Sequence, residues 1–446
     1  MTDWTHASAA TLGAAIGSGQ IDPRALTEAF LDAIASHPHT ERIYARVTPA
    51  RARAEAAASA ERAASGQRRG LLDGVPLSVK DLFDTAGTET EAGSRLLKGR
   101  TPQTDAVCVA RLAQAGMVCL GKTHLSELAF SGLGVNPMAA TSPNIHGEDL
   151  APGGSSSGAA ASVAYGLAPV GLGSDTGGSV RIPAAWNDLV GLKTTAGLIP
   201  LDGSVPLSVT LDTIGPLCRT VEDAALVHAA LAQTRAPDLS GATVRGMRFM
   251  VPEGVMLDGL AEGVAAAFAA ALSRLSAAGA VIVHVPLPEA GEALETATVN
   301  GGIANTEGYA LWGEMLEAQP DAMWAPILAR FRSGRSFRAD QIDAARLTFD
   351  RLAADYRRRV AGFDAVVAPA TPTLPPPVAP LLAGDAHWVE QNGLALRNTR
   401  IANLFGLCAL TVPTGTPACG LMLHGQPFGE ARLLRIGRAV ESALGA

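Results

Sequence analysis

Two clusters of glycine and hydroxyl side chains lie within about thirty residues of each other's far ends: Ala151-Pro-Gly-Gly-Ser-Ser-Ser-Gly158 and Gly173-Ser-Asp-Thr-Gly-Gly-Ser-Val-Arg181. Glycine lets a backbone approach a ligand closely and turn its N–H groups toward it. Serine supplies a nucleophile or a proton relay. Together they point to hydrolysis on a serine. Gly154-Ser-Ser-Ser-Gly158 also matches the G-x-S-x-G pattern, with Ser156 at its centre. That elbow needs a strand directly before it, and Glu148–Gly153 reads as a loop, so the match carries little weight.

A serine nucleophile needs a base. Nine histidines are present, and none lies in a telling local motif: His37 and His39 flank a proline, and His124, His146 and His424 are scattered. Lysine is the more informative residue. Of 35 basic residues only Lys80, Lys98, Lys122 and Lys193 are lysines; the other 31 are arginines. Arginine stays protonated at any working pH, whereas a buried lysine can lose its proton and act as a base. Lys80 closes the β-like run Gly74-Val-Pro-Leu-Ser-Val-Lys-Asp81, Lys122 follows a second such run, Met117–Leu120, and Lys98 sits in a polar surface context.

These residues need a scaffold. Pro23 at a first-turn position, with Leu26, Phe30, Leu31 and Ile34 on one face, predicts a helix. Residues 49–65 predict a solvent-facing helix ended by Gly66. From Leu71 to Arg219 strands (Val75–Val79, Met117–Leu120, Ala168–Leu172, Val190–Lys193) alternate with helical stretches such as Ala106–Gly116. The uncharged run Ala159–Leu172 predicts one buried element with a serine cluster at each end. Met247–Val251, a helix over Gly259–Ala278, and Val281–Val285 repeat the alternation, and 291–359 is helical and aromatic-rich. Asp364–Pro369 predicts a strand, Thr371–Pro380 a proline-rich loop, Ala409–Val412 and Gly420–Leu423 two strands, and Leu433, Ile436, Val440 and Leu444 a last helix. This is an α/β pattern. It predicts a single large domain over 1–446, with a mixed β-sheet core covered by helices on both faces. Its parts are a helical start (1–68), a core (69–230), a mostly helical substrate-side part (235–360) and a return to the sheet (361–446).

Composition narrows the function. The chain has 446 residues, 48% of them hydrophobic, and a net charge of −7. No basic patch interleaved with aromatics is present, which argues against nucleic-acid binding. Met1-Thr-Asp-Trp-Thr-His lacks the basic and apolar regions of a secretory leader, and no apolar run is long enough for a membrane helix. A cytoplasmic location is expected. The five scattered cysteines form no C-x-x-C pair, so free thiols are expected rather than disulfides or a zinc site.

The motifs together resemble the amidase signature family. The likeness rests on Lys80 in Val-Pro-Leu-Ser-Val-Lys-Asp, on Pro152–Gly158 and on Gly173–Arg181. Ala115–Thr123, Val190–Thr194, Leu211–Asp223, Asn403–Pro413 and Pro427–Leu434 also resemble family segments. The likeness runs from about residue 20 to 445 and is weakest between 235 and 360.

The resemblance implies an amidase that cleaves the carbon–nitrogen bond of a small-molecule carboxamide. Its triad would be nucleophile Ser179, bridging Ser155 after a cis Gly154–Ser155 bond, and base Lys80. The backbone N–H groups of Thr176, Gly177, Gly178 and Ser179 would form the oxyanion hole, each donor worth about 3 kcal/mol. Asp175 and Arg181 would pair to support that loop. No metal or organic cofactor is implied. Phe130, Leu133, Met138 and Trp312 are candidates for the acyl pocket, and a homodimer is compatible with the family. The alternative is a glutamine-hydrolysing A-type subunit that supplies ammonia to a partner in an amidotransferase. Thr194 stands where the family often has proline, and 291–360 matches no particular subgroup.

Overall fold

The computed structural model describes residues 4–299 and 302–445. Residues 1–3, on which the leader expectation partly rests, lie outside them. All eleven strands among the described residues join one sheet. They are β1 (Tyr44–Val47), β2 (Pro76–Lys80), β3 (Val118–Thr123), β4 (Val170–Ser174), β5 (Val190–Lys193) and β6 (Ile214–Cys218) in the first half. β7 (Arg248–Glu253), β8 (Val281–Pro286), β9 (Ala365–Pro369), β10 (Ala409–Pro413) and β11 (Gly420–His424) complete it. The order across the sheet is β1-β3-β2-β4-β6-β5-β10-β11-β9-β7-β8. Parallel pairs (β2 with β3 and β4, β7 with β8 and β9) flank an antiparallel centre, so the sheet is mixed.

Side chains along a strand point alternately to opposite faces. In β9, Ala365 and Val367 enter one apolar core while Val366 and Ala368 enter another. Leu421 and Leu423 against Met422, and Phe249 and Val251 against Met250, divide the same way. Both faces of this region are therefore packed, which is why its strands read as unbroken apolar runs rather than alternating ones.

Three local expectations are corrected. Ala159–Leu172 is not one element. It contains most of a helix, Ser157–Ala164, then a turn through Gly166 (φ +72°), then the start of β4. The chain doubles back, so the two serine clusters meet at the same end: Ser156 Oγ donates to the Ser174 carbonyl at 3.2 Å and accepts from the Ser174 N–H at 3.3 Å. The proline-rich loop stops at Pro377, because Pro380 falls in the first turn of the helix Val378–Ala383, where its missing N–H has no intrahelical role. Lys122 lies inside β3 rather than after it.

Two strands were missed. β1 is only four residues long. β6 contains Pro216, which argues against a central strand. It is accommodated because β5 pairs only with Leu217 and Cys218, so Pro216 lies beyond that ladder.

Candidate active site

β2 and β4 run parallel, with Val79 opposite Leu172. That register sets Lys80, the last residue of β2, beside Ser174, the last residue of β4. Lys80 is buried and makes two side-chain bonds, to Ser155 Oγ at 2.8 Å and to Ser174 Oγ at 2.7 Å. Both partners are hydroxyls, and neither fixes a charge. Burial brings the Lys80 ammonium down to about 7, against the opposing pull of the Asp212 and Asp175 carboxylates. Ser174 was not singled out from the sequence. Its role depends on strand register, which a motif does not reveal.

The other buried lysines are placed differently. Lys122 forms an ion pair with Asp81 at 3.0 Å. Lys193 donates to the carbonyls of Thr194 and Leu407. Lys98 is exposed, as its surroundings suggested.

Ser155 is held by its backbone. Its carbonyl accepts from the Ser126 N–H at 3.1 Å, and the Gly153 and Gly154 amides donate to Leu133 and Gly132. The Gly154–Ser155 peptide is cis. The Ser156 N–H donates to the Ser179 carbonyl at 3.2 Å, tying the two serine loops together. Ser179 Oγ has no hydrogen-bond partner among the described residues and lines a cavity of about 480 Å³.

The loop before Ser179 is organised by Asp175. Its carboxylate takes Arg181 Nε and Nη2, each at 3.0 Å, together with the Val180 and Gly178 amides and Asn403 Nδ2. Burial would raise the Asp175 carboxyl, but the Arg181 guanidinium holds it down at about 2. This changes the expected oxyanion donors. The Gly178 N–H is engaged by Asp175 Oδ1 at 2.8 Å, whereas the amides of Thr176, Gly177 and Ser179 have no partner among the described residues. The two glycines also have different reasons. Gly178 sits at φ +144°, and a Cβ there would meet Thr399 Oγ1, so the constraint comes from a helix behind the loop rather than from a substrate carbonyl. A Cβ on Gly177 would meet only Leu396, at 3.5 Å, and Gly177 lines the cavity.

Of the four pocket candidates only Phe130 lines the cavity. Leu133 is fully buried in the core, on the stretch that braces Gly153. Met138 opens on a separate groove with Arg46 and Lys98. Trp312 satisfies its indole N–H on the Pro206 carbonyl at 2.8 Å and packs against the core. The cavity takes instead Trp388, Asn392, Leu396 and Arg400 from one face of the long helix Asp385–Leu404. An available signal was Asp385 after Gly384, an acidic residue opening a helix. Among the described residues no cluster of His, Cys, Asp and Glu could hold a metal ion, and no helix is long and apolar enough to cross a membrane.

Comparison with known proteins adds a second line. The family model described as Amidase matches residues 25–434. A 2-amino-5-chloromuconic acid deaminase from Comamonas testosteroni is 37% identical over 98% of this chain and 97% of its own length. The A-type subunit of the glutamyl-tRNA(Gln) amidotransferase from Anaeromyxobacter dehalogenans (strain 2CP-C) is 36% identical over 97% and 95%. The solved native peptide amidase from Stenotrophomonas maltophilia has a TM-score of 0.83 and 30% identity over 99% of this chain and 98% of that one.

Proposed function

The chain belongs to the amidase signature family and is a carbon–nitrogen hydrolase, and on that premise we propose that Ser179, Ser155 and Lys80 carry out its chemistry. The observation that carries this reading is the pair of hydrogen bonds from Lys80 to Ser155 and Ser174, with Ser179 free at the cavity wall. Neutral Lys80 takes the proton of Ser155, which takes that of Ser179. The Ser179 oxygen then attacks the carboxamide carbon. The oxyanion forms against the amides of Thr176, Gly177 and Ser179, donors that need no rearrangement when charge develops. Collapse breaks the C–N bond, and the relay returns the proton to the departing ammonia or amine. Water, deprotonated by the same relay, then releases the carboxylate. Ser174 holds Lys80 in line and gives its ammonium form a second acceptor.

The substrate class is a linear carboxamide of a small molecule. The likeness to the amidotransferase relative carries a second reading, in which the chain hydrolyses glutamine for a partner. Turnover of simple amides by the purified chain alone distinguishes the two. The direct test of the site is Ser179→Ala. Folded protein should lose amide hydrolysis by at least about 10⁴-fold, and near-normal turnover would overturn the assignment.

A further inference from the structure

Two arginines line the Ser179 cavity from opposite parts of the chain. Arg330 comes from the helix Ala325–Ser333 and Arg400 from the helix Asp385–Leu404. Neither has a carboxylate partner among the described residues. Arg330 donates once, to the Phe130 carbonyl at 3.3 Å, and its guanidinium carbon lies 4.3 Å from the centre of the Phe130 ring. The Arg400 guanidinium makes no hydrogen bond within the described residues. Burial, and then the nearness of Arg400, bring Arg330 down to about 9. Among the described residues that line the cavity the one acid, Asp385, is exposed.

Elsewhere this fold gives its buried and half-buried arginines acceptors. Arg181 takes Asp175, Asn403 and the Thr399 carbonyl; Arg62 takes Asp73; Arg51 takes Asp105. Desolvated cations without counter-ions are costly, and two in one cavity repel each other. A guanidinium has five N–H donors in a fork that matches a carboxylate. Asn392 adds to the donor surplus: its Oδ1 accepts from Ser131 Oγ and the Gly132 N–H, which leaves the Nδ2 hydrogens without a partner in the described residues. The rest of the wall is largely apolar, with Phe130, Leu207, Ile303, Trp388 and Leu396.

We propose that this cavity selects carboxamides that also carry a carboxylate, bound by Arg330 and Arg400 while Ser179 attacks the amide. The inference rests on the hydrolytic reading of Ser179 and names its substrate class: half-amides of dicarboxylic acids with an apolar spacer. Neutral amides leave both guanidiniums without an anionic partner and are poor substrates.

The test compares adipic acid monoamide with hexanamide, which has the same chain length and no charge, on the purified full chain. The expected kcat/KM ratio is at least about 100 in favour of the anionic amide. Arg330→Gln and Arg400→Gln should each cut that ratio tenfold or more, through KM for the anionic amide, and Arg400→Lys should restore part of it. Calorimetric titration with adipate provides a readout independent of turnover, made on the wild-type chain and on variants whose circular dichroism shows them folded. Adipate should bind the wild-type chain and bind each folded variant at least tenfold more weakly. A wild-type ratio near one, ratios unchanged in both variants, or no adipate binding would each overturn the proposal. Adipate binding that depends on both arginines, without hydrolysis of any amide, would sustain the carboxylate site and count against the hydrolytic reading alone.

Discussion

Lys80 is useful as a base only in its neutral form, and its surroundings favour that form. Two hydroxyls accept from its amine, while burial away from water disfavours the charge. With the ammonium brought down to about 7, kcat/KM should rise as pH increases through that value and fall below it, where Lys80 holds its proton. Asp212 acts in the opposite direction, since its carboxylate favours the Lys80 ammonium. Asp212→Asn should therefore move the acid limb of the pH–rate profile to lower pH, and an unmoved limb would exclude Lys80 as the group it reports. Lys80→Arg should lose about 10²–10⁴-fold in kcat, because arginine cannot give up its proton. Lys80 was legible because lysine is scarce in this chain. Ser174 was not, because only the pairing of β2 with β4 brings it within reach. The engagement of the Gly178 amide was equally hidden, since it depends on where the Asp175 carboxylate folds back.

The strands of the signature core could be anticipated from their apolar runs, but the joint between the serine clusters could not. A helix of eight residues and a strand of five share one uncharged stretch, and periodicity does not divide segments that short. Their close packing places Ser155 and Ser179 in one site. Gly171 of β4 is the contact point, where an added Cβ would lie 2.7 Å from the Ala159 carbonyl oxygen. That oxygen is backbone and cannot swing aside. Gly171→Ala should destabilise the protein by about 1–3 kcal/mol and reduce turnover as the helix shifts. Gly291→Ala, on the helix Pro288–Val299 with open space around the new methyl, serves as the control and should be neutral or slightly stabilising. Urea midpoints measured side by side decide the point. The pocket was the least legible part. Phe130 lies on a chain segment near the signature loops, whereas Trp388 and Arg400 reach the cavity through the orientation of a twenty-residue helix.

At the scale of the whole molecule, strands β1–β6 and β7–β11 meet where β5 pairs with β10. Arg181 crosses that seam. It binds Asp175 on the first side and the Thr399 carbonyl, Asn403 Oδ1 and Met422 Sδ on the second. The same guanidinium shapes the Ser179 loop and joins the halves, so we take the chain as one folding unit. Arg181→Ala leaves the buried Asp175 carboxylate without its cation and should cost about 3–5 kcal/mol. Arg181→Lys should recover little, because a point charge cannot replace the two-pronged contact. In urea, tryptophan fluorescence and residual activity should disappear over the same range; activity lost well before fluorescence would separate the loop from the seam. The burial of Lys80, Lys122 and Lys193 has a practical consequence at this scale too. Among its lysines only Lys98 meets solvent, and it does not line the Ser179 cavity. A support or dye coupled through a lysine amine would therefore attach at Lys98, outside the residues that line the Ser179 cavity.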